Sequence, residues 1–278
     1  MSTENALLTI LVEKINNDTL VLPTLPAVAL KVRKAADDPD VNLNALADVI
    51  GQDPSLTARM IKISNSAYLG RTVKVETLNQ AVTRIGLRQV KNVATALAME
   101  QLFVSKNEVV KEQMTAMWEA TVDVVANAMA AMQTYTDRTK DRSLNLETLT
   151  LAALVHNIGV LPILTEAERH EDVFANTTFL EAAIHKLSGR IGSAIMKAWG
   201  FGEDFAALCE NWRNLTHQED KVGYMDFVRV GAALAGQMND QKSTILNVAQ
   251  KAGLFENVSE LESDQFATYR SSAKDIFE

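Results

Sequence analysis

The 278-residue chain contains few of the residues that cross-link a backbone or interrupt regular structure: one cysteine, five prolines and twelve glycines. The lone Cys209 excludes an internal disulfide. Its apolar surroundings, FAALCENW, are typical of a buried thiol in a reducing compartment. Sparse proline and glycine are expected where helices are joined by short turns.

Basic side chains are outnumbered, with 27 Lys and Arg against 35 Asp and Glu, and the net charge is −8. General nucleic-acid binding needs many cations facing phosphates, so this balance weighs against it. Arg84, Arg88 and Lys91 form one small basic stripe, a pattern common on solvated helix faces. Apolar residues make up 47% of the chain, enough for a sizeable core.

Long apolar runs and a leader pattern are missing as well. No uninterrupted apolar run approaches the ~18–20 residues of a membrane span. The N-terminus, MSTENALLTILVEKINND, has an acidic residue and no basic segment ahead of its apolar stretch. We therefore expect no membrane span and no secretory signal, and we predict a cytoplasmic protein.

Apolar residues recur at helical spacing, and no run of four to eight residues alternates as a strand does. A helix is predicted over Leu146–His156, ended by Gly159 and Pro162. Two further helices are predicted over Thr177–Lys186 and Gly189–Trp199. The predicted fold class is all-α, with two packed helical subdomains followed by C-terminal helices.

Three segments place Pro, Asp-Pro, Asn-Ser and Ile-Gly in a specific order. They are LPTLPAVALKV at Leu22–Val32, LADVIGQDPSLTARMIKISNSAYLG at Leu46–Gly70 and LNQAVTRIGLRQVKNVATALAMEQLF at Leu78–Phe103. This combination resembles the HDOD family, whose domain is related to the HD metal phosphohydrolases. Trp118–Arg213 resembles the HD-like half of that domain.

The resemblance implies an all-helical fold, a bacterial and cytoplasmic protein, and a place in signal transduction. We accordingly predict an N-terminal helical part of the HDOD domain over residues 1–105 and a degenerate HD-like part over 106–216. Residues 217–278, which the resemblance does not cover, are predicted to form helices that pack on this body.

Active HD enzymes hold one or two divalent metals with His and Asp side chains from separate helices, and a metal-bound water attacks a phosphate ester. In this chain the resemblance assigns a vestigial pocket to the corresponding positions. These are Trp118, Ala120, His156, Asn157, Ser188, Trp212 and Arg213.

Only His156 keeps an imidazole, and Asn157 replaces the family's carboxylate with a neutral amide. One imidazole cannot hold a hard cation against water, because a catalytic site needs about three protein ligands. Arg213, placed in the pocket, would repel a cation and favour an anion. We therefore predict no metal, no cofactor and no catalytic residue. His156 is interpreted as a core or capping residue, and Asn157 as a helix end.

Two other polar groups have a structural interpretation. Ser64-Asn65-Ser66 could cap the helix before it or offer a ligand contact; the cap is favoured, since Ser and Asn bond backbone ends readily. The acidic residues Glu166, Glu168, Glu171 and Asp172 are predicted to lie in a solvated loop.

The function predicted from the sequence is a non-catalytic signalling module that acts through contacts with other signalling proteins, with room for a ligand in the vestigial pocket. Two alternatives remain open. One is a metal-dependent phosphohydrolase with unorthodox ligands. The other is a nucleotide or anion binder in which Arg213 and His156 contact phosphate without catalysis.

Overall fold

The computed structural model describes residues 3–65, 73–169, 177–219 and 221–277, and these ranges contain helices and no β-strand. The all-α prediction is confirmed. The helices are α1 Thr3–Asn16, α2 Ala27–Ala36, α3 Leu43–Ile50, α4 Pro54–Ser64, α5 Leu78–Ile85, α6 Leu87–Ala98, α7 Glu108–Thr139, α8 Leu146–Val155, α9 Val160–Ala167, α10 Thr177–Ala198, α11 Glu203–Asn211, α12 Tyr224–Leu234, α13 Lys242–Lys251 and α14 Asp264–Lys274.

Side-chain caps explain where several helices begin. The Asp53 carboxylate accepts the Leu56 amide at 3.0 Å, and Pro54 occupies the first position of α4, where no amide hydrogen is required. Thr77 and Gln80 form a reciprocal capping box at the start of α5. These caps satisfy backbone amides of the first turns and mark where the helices begin.

The helix predicted over Leu146–His156 is confirmed to within one residue by α8, which ends at Val155. α9, which starts at Val160 and holds Pro162 in its first turn, was not predicted. Residues 177–198 form one helix, α10, although separate helices were predicted on either side of Gly189. A glycine inside a helix is tolerated where a neighbouring backbone comes too close for a side chain.

Backbone contacts group the chain into two compact units built from separated segments. The first unit contains the segments up to residue 24, 101–119 and 155–217. The second unit contains 25–100, 120–154 and 218–278. The three consecutive parts expected from the sequence, 1–105, 106–216 and 217–278, are not tested by this grouping and stay a prediction.

In the first unit, α1 packs against α9 and α10, and α10 packs along α11. The Lys14 ammonium donates to Glu166 Oε1 at 2.6 Å, and the Trp199 indole donates to the Pro23 carbonyl at 2.9 Å. Glu166 therefore lies buried in α9 rather than in a solvated loop. Glu171 and Asp172 lie outside the described residues.

In the second unit, several polar residues that were candidates for ligand or nucleic-acid contacts instead form hydrogen bonds and an ion pair within the chain. Asn65 ends α4, and its amide both donates to and accepts from the Val75 backbone, at 2.7 and 2.8 Å. Arg84 donates to the Ser64 carbonyl at 3.1 Å. Lys91 pairs with Asp37 at 2.7 Å. These bonds support a structural role for Asn65 and engage two of the three cations of the basic stripe.

The C-terminal segment contacts the part of α7 that belongs to the same unit. Arg138 donates to the Gly253 carbonyl at 2.6 Å, and the Tyr269 hydroxyl donates to Asp137 at 2.5 Å. Lys274 pairs with Asp123 at 2.7 Å.

Residues 146–167, spanning α8 and α9, have the length and composition of a membrane span, but 83% of the most apolar window is buried within the protein. Such burial is typical of a core segment. The expectation of a cytoplasmic location stays a prediction.

Candidate functional site

The candidate site begins at the turn between α8 and α9, where the His-Asn pair lies. The Ile158 amide donates to the Val155 carbonyl at 3.0 Å, and the Val160 amide donates to the Asn157 carbonyl at 3.1 Å. These bonds close a tight turn directly after α8. His156 is buried, with 1% of its surface exposed, while Asn157 is half-buried.

Close backbone packing brings α10 against this turn. A Cβ atom added at Gly159 would lie 2.0 Å from the Ser188 carbonyl oxygen and 2.5 Å from the Gly192 amide nitrogen. A Cβ atom at Gly189 would lie 2.7 Å from the Glu210 carbonyl oxygen. Only glycine permits this proximity, which places the Ser188 side chain beside the turn.

Arg213 lies just beyond the end of α11 and joins the turn to α10. Its Nη1 donates to Asn157 Oδ1 at 3.1 Å and to Ser188 Oγ at 3.0 Å. The centre of its guanidinium lies 3.9 Å from the ring centroid of Trp212. The ring centroids of His156 and Trp212 lie 4.6 Å apart, and the two ring planes meet at 79° in an edge-to-face contact. Five of the sequence-predicted site residues are thus brought together.

The electrostatic character of this group is set by a partly desolvated cation. Burial lowers the pKa of the Arg213 guanidinium to about 10, which leaves it protonated at neutral pH. Its hydrogen-bond acceptors, Asn157 and Ser188, are both neutral. The site therefore has a net positive charge.

The other two predicted residues have different contacts from these five. Trp118 packs against Phe103, with ring centroids 5.2 Å apart, and belongs to the first unit. Ala120 belongs to the second unit, and its carbonyl accepts a bond from Gln237 at 3.3 Å. Its methyl side chain offers no metal ligand.

The side chains of the site do not fit a divalent metal. Among the described residues, no three His, Cys, Asp or Glu side chains are grouped as metal ligands. The Asn157 oxygen, the atom that would replace a carboxylate ligand, accepts a bond from the Arg213 guanidinium. A cation placed there would meet a positive charge and one neutral amide oxygen.

Cys209 supports the site without taking part in its chemistry. Its thiol donates to the Val155 carbonyl at 3.2 Å and so links α11 to the end of α8. Burial raises the pKa of this thiol, which disfavours the reactive thiolate. A role in forming the site was not predicted for Cys209, Gly159 or Gly189. Gly189 and Gly192 are three residues apart and therefore lie on one helix face. This spacing was the sequence feature that could have predicted close helix packing here.

Comparison with known proteins adds two kinds of finding. The model of the HDOD domain family matches residues 22–215. An uncharacterized protein from Treponema pallidum is 25% identical over 191 residues, covering 69% of this chain and 35% of its own length. This chain therefore spans about a third of that relative.

Solved structures share the fold. A predicted metal-dependent phosphohydrolase from Shewanella amazonensis is 43% identical over the full length of both chains, with a TM-score of 0.94. An HDOD domain protein of unknown function from Geobacter sulfurreducens is 18% identical, covers 98% of this chain and 99% of its own, and has a TM-score of 0.64. A predicted signal transduction protein from Marinobacter aquaeolei is 17% identical over 99% of this chain and 66% of its own, with a TM-score of 0.58.

Proposed function

Because the chain belongs to the HDOD family, we propose that it is a regulatory module of signal transduction that acts through protein contacts and does not hydrolyse phosphate esters. The observation that supports this proposal is the position of Arg213. Its guanidinium bonds the side chains of Asn157 and Ser188, two of the positions that supply metal ligands in HD enzymes.

An HD enzyme depends on a metal-bound water as its nucleophile. Hydrolysis by an HD enzyme requires a metal that lowers the pKa of a bound water to near neutrality. A guanidinium holds no open coordination position and cannot produce a hydroxide in this way. His156 is buried against Trp212 rather than exposed as a ligand. The protein is therefore expected to retain the shape of the HD domain without its nucleophile.

A metal-dependent phosphohydrolase is the second candidate. The observation in its favour is the Shewanella amazonensis protein, which is 43% identical over its whole length and is itself a predicted metal-dependent phosphohydrolase. For this candidate, ligands other than the familiar His and Asp set would have to hold the metal.

Metal content and turnover separate the two candidates. We expect the chain, purified without chelators, to contain far less than one Mn, Fe, Ni or Zn per molecule. We also expect no hydrolysis of phosphodiesters or cyclic dinucleotides above that of His156→Ala. Stoichiometric metal, together with turnover that this substitution abolishes, would contradict the first proposal and support the enzyme.

Action through protein contacts is tested separately. The immobilised chain is expected to retain a defined signalling protein from lysate of its source cells, and the purified pair should bind with a stoichiometry measurable by calorimetry. Retention of no protein beyond that on uncoupled resin would contradict this part of the proposal.

A further inference from the structure

Arg213 is a partly desolvated cation with no carboxylate partner among the residues that the structure describes. Burial is the cause of its lowered pKa, and no carboxylate among the described residues contributes to the shift. Its protein contacts are the neutral Asn157 and Ser188 side chains and the ring of Trp212. Buried or half-buried charges in proteins are usually paired, because an unpaired charge is costly to remove from water.

The Arg213 guanidinium has hydrogen-bond donors on one edge that no described residue uses. Nη1 is engaged by the two acceptors, whereas Nε and Nη2 bond no group in the described parts of the chain. Together Nε and Nη2 form the planar two-donor edge that pairs with both oxygens of a carboxylate or phosphate. Because Arg213 is only half-buried, solvent reaches part of its side chain.

Asn157 adds donors of the same kind. Its Oδ1 accepts from Arg213, which fixes the orientation of the amide. Its Nδ2 donates to no group within the described residues, and the side chain is half-buried. The group therefore offers a positive charge and several unused N–H donors.

We propose that the Nε–Nη2 edge of Arg213, together with Asn157 Nδ2, binds an oxyanion group of a small solute, a phosphate or a carboxylate. This inference rests on the proposed function in one respect, because a guanidinium in place of the metal is what makes the pocket positive without activating water. Ser188 and Trp212 act as positioning residues that hold the guanidinium from its Nη1 side and from one face.

Calorimetry and thermal unfolding with defined anions test the proposal. Inorganic phosphate, AMP and acetate are titrated into the full chain at constant ionic strength maintained with NaCl, so that general screening is the same throughout. We expect saturable binding of at least one anion, with a matching rise in unfolding temperature. Phosphate and AMP binding without acetate binding identifies a phosphate site, and the reverse identifies a carboxylate site.

Matched variants locate the site. Arg213→Gln is expected to weaken binding by at least about tenfold, equivalent to about 1.4 kcal/mol. Ser188→Ala keeps the charge, frees one side of the guanidinium, and is expected to weaken binding less. Arg190→Gln is the control, since Arg190 is an exposed arginine in the same unit that bonds Asn16. If Arg213→Gln fails to fold, Arg213→Lys retains the charge without the planar edge and is expected to bind more weakly than wild type.

Two outcomes overturn the inference. In the first, the wild-type chain binds none of the anions beyond the effect of NaCl. In the second, Arg213→Gln, or Arg213→Lys in its place, binds the anion as tightly as the wild type. Metal content and phosphodiester hydrolysis are measured on the same preparations. Hydrolysis with bound metal contradicts the proposed function, whereas absence of both hydrolysis and anion binding contradicts only the oxyanion site.

Discussion

Substitution of Gly159 by alanine tests whether close packing builds the site. Gly159 has φ −64°, so an alanine fits the backbone there without dihedral strain. Its added methyl would lie 2.0 Å from the Ser188 carbonyl oxygen, although Cβ atoms in proteins do not approach other atoms closer than 3.0 Å. The turn and α10 must therefore separate by about 1 Å, which breaks contacts along the interface.

Overpacking of this kind costs about 1–3 kcal/mol, and two backbone clashes at one position point to the upper end, about 3 kcal/mol. For a protein of this size we expect the unfolding temperature to fall by about 6–12 °C, measured by circular dichroism. Gly202→Ala is the control, since Gly202 also has φ −64° and its added Cβ would meet nothing within 4 Å. Equal unfolding temperatures for Gly159→Ala and Gly202→Ala would refute the close-packing argument.

Two further predictions concern buried groups of the first unit. Lys14→Met should lower the unfolding free energy by about 1.5–3 kcal/mol, because it removes a charged hydrogen bond to the buried Glu166. Lys111→Met, which removes an exposed pair, should change it by less than about 0.5 kcal/mol, and equal losses in chemical denaturation would contradict this reasoning. Cys209, whose thiol pKa is raised by burial, should react with iodoacetamide only on unfolding. Rapid labelling of the native chain near pH 8 would show that the thiol is accessible.

The helical fold was predictable because its signals are local. Capping residues such as Asp53 and Thr77 and the regular apolar spacing act within a few residues of the chain. α9 was missed for the same reason. Gly159 and Pro162 are helix breakers in isolation, but Gly159 is required by the proximity of α10, and Pro162 lies in a first turn that tolerates it.

The candidate site could be predicted only in part. Its residues were identified by resemblance, but their arrangement depends on contacts between positions far apart in the chain. No periodicity in the sequence places Arg213 against both Asn157 and Ser188, which are 56 and 25 residues away. The burial of Glu166 was likewise missed, because its partner Lys14 lies 152 residues away.

The charges at positions 157 and 213 have to be considered together. In an HD enzyme a carboxylate neutralises part of the metal's charge. Here an amide and a guanidinium give the site a positive charge. In Asn157→Asp the new carboxylate should therefore pair with the Arg213 guanidinium and raise its pKa above about 10. The pair cancels the charge available to an anion and does not restore a metal site. We expect this variant to lose any phosphate binding shown by the wild-type chain and to gain no Mn or Fe by elemental analysis. Stoichiometric metal in Asn157→Asp would contradict this reasoning. It would show that one added carboxylate is enough to bind a cation beside the Arg213 guanidinium.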